Sequence, residues 1–194
     1  MIVNQTSDQT LIDHCLAGRR EAFGLLVERY QNRLFHSLLH LLGSTEDAQD
    51  AAQEAFVNAF EKLGSFRGQS QFYSWLFRIA FNTAVSSKRK SRRMSVSLEA
   101  RRDASGLEPS DGNPTSEPSY AMDVSDRQRL VQQALSELCE EFRTALVLKE
   151  MDGMSYEEIA DVVNVPLGTV RSRIHRARLE LREKLSALLR SEVL

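Results

Sequence analysis

The sequence contains only two cysteines and four prolines, carries a formal charge of −2, and has no long apolar run. Each scarcity closes off a class of protein. Cys15 and Cys139 are far apart in apolar helical patterns and read as two buried free thiols, so no disulfide framework is expected and a reducing compartment fits. The longest apolar stretch falls short of the roughly 20 residues needed to cross a bilayer, so no membrane span is expected. The opening MIVNQTSDQT has neither a charged nor an apolar leader region, so no signal peptide is expected and the chain reads as cytoplasmic. Alternating runs of β-branched residues are missing, which argues against sheets. Glycine-rich phosphate loops, HExxH and nucleophile motifs are missing too, so no enzyme, cofactor or metal site is expected. His36 and His40 are four apart on a helix, but no third ligand is near them; the polar side of a core helix is the expected place for both.

What is present is helical periodicity over most of the length, with ordinary fractions of hydrophobic (42%) and charged (27%) residues. The expected fold is all-α: two small helical domains joined by a flexible linker, the second with a helix-turn-helix. The linker is residues 94–125, which hold Pro109, Pro114, Pro118 and seven serines and too few large apolar residues to offset the entropy of ordering. It separates a module at 1–93 from one at 126–194.

Charge is unevenly divided. Residues 1–93 have 12 Lys+Arg against 9 Asp+Glu, residues 94–125 have 2 against 6, and residues 126–194 have 11 against 12. Within the last, 126–161 is acidic and 171–184 is basic, with 6 cations against 2 acids. Such asymmetry points to local contact with a polyanion.

The stretch SYEEIADVVNVPLGTVRSRIHRARLEL (155–181) reads as helix, turn, helix. Ser155 and Glu158 make a capping box, Asn164-Val165-Pro166 breaks the first helix, and Pro166 suits the start of the second. The second helix puts Val170, Ile174, Ala177, Leu181, Leu185 and Leu188 on one stripe. At about 100° per residue, the opposite side carries Gly168, Thr169, Ser172, His175 and Arg176, with Arg171, Arg173 and Arg178 on the flanks. Small polar groups at the tip and cations at the sides suit a helix entering a major groove. Ser172, His175 and Arg176 are the base-reading candidates, and Arg171, Arg173 and Arg178 the phosphate candidates.

In the first module four helices are expected: from a Ser7/Asp8 cap to Gly18, from about Arg20 to Leu42, from Ser44 to Leu63, and from near Ser70 into the basic run Lys88–Arg93. The second module begins with a helix capped by Ser125, followed by one over about 140–151. The third helix has an alanine- and phenylalanine-rich inner side, including Phe56 and Phe60. Its other side carries Asp47, Asp50, Glu54, Asn58 and Glu61, with no cation between Ser44 and Glu61. A solvated face and a dock for a basic partner both fit, the first being the commoner case. Phe66 to Phe81 then hold six of the fourteen aromatics, followed by five cations in 88–93. Aromatic faces beside cations suit unstacked bases, and the loop Arg67-Gly68-Gln69-Ser70 suits a flipped one. Phe72, Trp75 and Ile79 read as core. Arg78, Asn82 and Arg89 share a polar stripe and are stronger DNA candidates.

DAQDAAQEAFVNAFEKLGSFRGQSQFYSWLFRIAFNTA (47–84) and DGMSYEEIADVVNVPLGTVRSRIHRARLEL (152–181) together resemble an extracytoplasmic-function sigma factor of the sigma-E type. The resemblance covers both modules. It implies that 47–63, with Asp47, Asp50, Glu54, Asn58 and Glu61, docks on the clamp helices of the largest subunit of core RNA polymerase. It implies that 66–93 melts and reads the minus-ten element, with Arg67, Gly68 and Ser70 holding a flipped base and Asn82 facing the promoter; Phe66, Arg78, Lys88 and Arg89 are the further minus-ten candidates. It implies that 167–178 reads the minus-thirty-five element through Thr169, Arg171, Ser172, Arg173, His175, Arg176 and Arg178. Promoter DNA and an anti-sigma factor are the further partners implied. The sequence departs from the family pattern at Cys139, which bears on where the helix after it starts, and at Gln69 and His175, which bear on the promoter read rather than on the class of function. A freestanding helix-turn-helix regulator is the alternative; it would leave the aromatic–basic helix without a task.

Overall fold

The computed structural model describes residues 6–84 and 120–191, and every regular element among them is helical. The first module holds α1 (Asp8–Leu16), α2 (Glu21–Leu42), α3 (Thr45–Glu61), a 3₁₀ turn (Leu63–Ser65) and α4 (72–84). The second holds α5 (Tyr120–Ser136), α6 (Glu140–Glu150), α7 (Tyr156–Val163) and α8 (Leu167–Ser191).

Local sequence sets the boundaries. The Ser7 hydroxyl accepts from the Thr10 amide to start α1, and the Ser44 hydroxyl accepts from Asp47 to start α3. Gly43 ends α2 in the left-handed region at φ 77°, where a side chain would be strained. Asp8 accepts from the Arg29 guanidinium and the Tyr30 hydroxyl, tying α1 to α2. Leu26, Leu34 and Leu38 of α2 are fully buried, with Phe72, Leu76 and Phe77 of α4 beside them in the core. Burying side chains of this size stabilises by about 1.5–3 kcal/mol each.

The buried residues of both modules form one continuous cluster. At the seam Leu38, Leu41, Leu42, Phe81 and Ala84 face Glu140 and Thr144 of α6. The His40 Nδ1 pairs with Gln132 of α5 at 2.7 Å, and Arg143 of α6 donates to the Leu41 carbonyl at 3.2 Å. His36 instead pairs with the Asn32 carbonyl, so the two histidines have separate partners.

Four expectations change. Helix α5 begins at Tyr120, five residues before Ser125, because no proline or glycine interrupts 120–136. Cys15 is buried, which pushes its thiol pKa up, but Cys139 is exposed at the N-cap of α6, where the chain is still extended. Phe60 is 39% exposed, at the edge of the core, its ring edge-on to Phe23. Trp75 and Ile79 are half-buried, although Phe72 is core. Lys88, Arg89 and the segment 94–119 lie outside the described residues.

Candidate nucleic-acid interface

The α7–α8 unit is built from its caps outward. Ser155 Oγ accepts from the Glu158 amide at 3.1 Å while Glu158 Oε2 accepts from the Ser155 amide at 2.9 Å, closing the capping box. Asn164 ends α7 in the left-handed region, φ 52° and ψ 53°, which Asn tolerates better than most residues. Pro166 follows, and its carbonyl accepts from Thr169 and Val170 in the first turn of α8.

Val170, Ile174 and Ala177 are buried to 1% exposure or less, and this fixes the rotation of α8. Arg171, Ser172, His175 and Arg176 therefore face solvent, while Thr169 and Arg173 are half-buried beside them. The Ser172 hydroxyl donates to the Thr169 carbonyl at 2.9 Å, and the Arg171 guanidinium lies 6.0 Å from the centre of the Tyr156 ring. Arg178 is exposed but engaged: its Nε donates to Glu150 of α6 at 2.9 Å. The acid that meets it comes from another helix, not from Glu180 or Glu183, which share its own. Glu180 pairs with Lys184 at 3.8 Å.

In the first module the loop Arg67-Gly68-Gln69-Ser70 is exposed throughout. Gly68 sits at φ 66°, and a side chain there would be both strained and 3.4 Å from Gln9 Oε1. Phe66 is half-buried; its ring centroid lies 5.3 Å from Trp75 and 5.8 Å from Phe72. Those rings brace the loop from below. On α4, Arg78 and Asn82 are exposed on the side away from buried Tyr73, Leu76, Phe77 and Ala80.

Helix α3 keeps Ala48, Ala52, Ala55, Phe56 and Ala59 inside and Asp47, Asp50, Glu54 and Glu61 outside. Asn58 is half-buried and donates to the Thr83 hydroxyl of α4 at 3.5 Å, linking the acidic face to the helix that carries Arg78 and Asn82. One residue of this face is missing from the sequence reading. Val57 is 56% exposed among the acids. Its signal was in the spacing: it lies three residues after Glu54 and four before Glu61, in phase with them rather than with the alanines. The described residues thus expose cations and hydrogen-bonding groups on α8 and α4 and acids on α3.

Comparison with known proteins gives one consistent result. The family description "Sigma-70 region 2" matches residues 26–94, and "Sigma-70, region 4" matches residues 128–181. The chain is 41% identical over 191 residues to the RNA polymerase sigma-H factor of Pseudomonas aeruginosa, covering 97% of this chain and 99% of that one. It is 40% identical over 191 residues to the ECF RNA polymerase sigma-E factor of Escherichia coli K12, covering 96% and 98%. Among solved structures, RpoE in complex with the anti-sigma factor NepR from Bartonella quintana aligns with a TM-score of 0.67 at 27% identity, over 84% of this chain and 96% of that one. CnrH in complex with the cytosolic domain of CnrY aligns with a TM-score of 0.64 at 27% identity, over 96% and 99%.

Proposed function

The chain belongs to the extracytoplasmic-function sigma factors of bacterial RNA polymerase, and on that premise we propose how its surfaces divide the work. It binds core RNA polymerase and directs promoter-specific initiation in a stress or envelope response, acting in the cytoplasm where the polymerase is. Residues 1–93 form the region-2-like domain, 94–125 the linker, and 126–194 the region-4-like domain.

Helix α8 enters the major groove of the minus-thirty-five element. Ser172, His175 and Arg176 face the base edges, with Thr169 at the tip. Arg171, Arg173 and Arg178 meet phosphates on either side, Arg178 by exchanging Glu150 for DNA. The loop Arg67–Ser70, braced by Phe66, receives a base turned out of the minus-ten element, and Arg78, Asn82, Lys88 and Arg89 hold the strand. Unstacking costs a few kcal/mol, which a preformed loop with an aromatic floor helps to offset. Asp47, Asp50, Glu54, Asn58 and Glu61 dock on the polymerase clamp, with Val57 as the apolar centre of an otherwise charged contact. An anti-sigma factor is the remaining partner, in the manner of RpoE with NepR.

The observation that carries this reading is the outward presentation of Arg171, Ser172, His175 and Arg176 opposite buried Val170, Ile174 and Ala177. A gel shift with and without core polymerase tests it. The protein alone binds promoter DNA weakly, and adding core enzyme tightens binding by orders of magnitude. Tight sequence-specific binding without core enzyme, unchanged when it is added, would instead fit a freestanding regulator.

A further inference from the structure

Helix α1 borders the loop Arg67–Ser70, although the two are far apart in sequence. It packs against the 3₁₀ turn Leu63–Ser65 that leads into the loop. A Cβ placed on Gly68, which sits at φ 66°, would lie 3.4 Å from Oε1 of Gln9 on α1. The orientation of that amide is set by its other end. Gln9 Nε2 donates to Asp13 Oδ1 at 2.8 Å. An ionised carboxylate only accepts, so the nitrogen faces Asp13 and the oxygen is left toward the loop.

The helix beneath Gln9 is held in place. Leu11 and Ile12 are buried, and Asp8 accepts from Arg29 and Tyr30 of α2. The Tyr30 ring centroid lies 5.7 Å from that of Phe72, and Phe72 lies 5.8 Å from Phe66, the residue before the loop. One line of contacts thus runs from α1 through α2 and α4 to the base of the loop. It sets where Gln9 stands relative to Gly68 before any ligand arrives.

We propose that Gln9 is a wall of the pocket that takes the turned-out minus-ten base, and that its Oε1 accepts from an exocyclic amine of that base. The inference rests on the reading of Arg67–Ser70 as the base-receiving loop. A turned-out base is read by hydrogen bonds to its Watson–Crick edge. Cytosine, adenine and guanine each carry an exocyclic amine, and thymine alone has none. A carbonyl oxygen of thymine set against Oε1 would leave two acceptors facing each other. Glycine at position 68 keeps the approach to Oε1 open, since any side chain there would fill the space in front of it. Gln9 itself is exposed, so a base can reach it.

The test uses holoenzyme assembled from core polymerase and full-length wild type, Gln9→Met or Asp13→Ala. The ligands are single-stranded non-template oligonucleotides from a promoter that the wild-type holoenzyme transcribes, with each minus-ten position replaced in turn by the four bases. Gln9→Met keeps the length of the side chain and removes the amide. Circular dichroism checks its helix content, and Gln9→Ala takes its place if that content falls. At one position the wild type is expected to disfavour thymine by about fivefold, the effect of one neutral hydrogen bond. Gln9→Met brings that ratio below about twofold and leaves the preference at every other position as it was. Asp13→Ala frees the amide to turn and lowers the same ratio by less; an unchanged ratio there overturns the orientation set by Asp13. Identical base profiles in wild type and Gln9→Met overturn the inference. A uniform loss at every position overturns it too, because a structural or backbone role is blind to the base. A wild-type preference for thymine at the affected position overturns the acceptor assignment. Wild-type holoenzyme that transcribes but prefers no base at any minus-ten position overturns the reading of the loop, and absence of transcription overturns the sigma-factor reading.

Discussion

Arg173, Arg176 and Arg178 are three arginines on one helix with three environments, and they should fail differently. Arg176 is exposed on the face opposite the stripe of Val170, Ile174 and Ala177, so Arg176→Ala should relax one promoter position by about 1–3 kcal/mol. Arg173 is half-buried at the flank; its loss should weaken all promoters alike and lower the salt slope by about one. Competition binding against single-base promoter variants at several salt concentrations distinguishes the two. Arg178 is held by Glu150 before any DNA arrives. Glu150→Ala should therefore raise promoter affinity of the holoenzyme, and by less than about fivefold, because an exposed ion pair is worth at most about 1 kcal/mol. Unchanged or weaker binding in Glu150→Ala would remove Arg178 from the phosphate set. Glu158 gives a pH signature. Its burial raises its pKa, but hydrogen bonds from Ser74 and Ser155 outweigh that and hold it below the usual 4.5. Its contribution is thus present above that range and lost as pH falls through the lowered value. Glu158→Gln should destabilise at neutral pH, by about 1 kcal/mol for a weakened cap, and the gap from wild type should close on acidification below about 4.5 in urea melts.

At the scale of elements, much of the architecture was legible because short-range signals agree with the packing. The capping box at Ser155, the Pro166 start of α8, the Ser44 cap and the Gly43 stop all appear where the sequence placed them. The apolar stripe of α8 gave the correct rotation, so the outward set of polar residues was legible with it. Ile174→Ala should cost about 2–5 kcal/mol in the second module, since a 1%-exposed side chain leaves a cavity behind. What was not legible depends on partners distant in sequence. Val57 was passed over because the outer face of α3 was read from its polar residues alone, although its spacing from Glu54 and Glu61 puts it on that face. Cys139 looked buried because Leu135, Leu138 and Phe142 recur around it at helical spacing, yet it stands before the first turn of α6 between Leu138 and Glu140 and is exposed. The start of α5 was placed late because Ser125 is a good cap in isolation, while nothing in 120–124 stops a helix. Asp152 carried the weakest signal of all. An Asp-Gly pair reads as a turn, and its three side-chain partners lie 79 to 119 residues away.

The whole molecule brings these scales together. On the proposed division of labour, a chain of nearly neutral net charge meets DNA with the exposed cations of α8 and a basic partner with the exposed acids of α3. Reversing Asp50 and Glu54 to Lys should lower core-polymerase affinity and leave helix content intact, because both side chains are exposed. Equal affinity in a pull-down titration would detach α3 from the polymerase. The central claim is that two modules select a start site together once polymerase carries them. Run-off transcription with purified core enzyme on genomic fragments tests it most directly. The expected result is transcripts from a small set of templates that share both a minus-ten and a minus-thirty-five sequence, lost when Arg176 and the loop at Arg67–Ser70 are replaced together. No transcript from any template, or starts indifferent to both replacements, would contradict it.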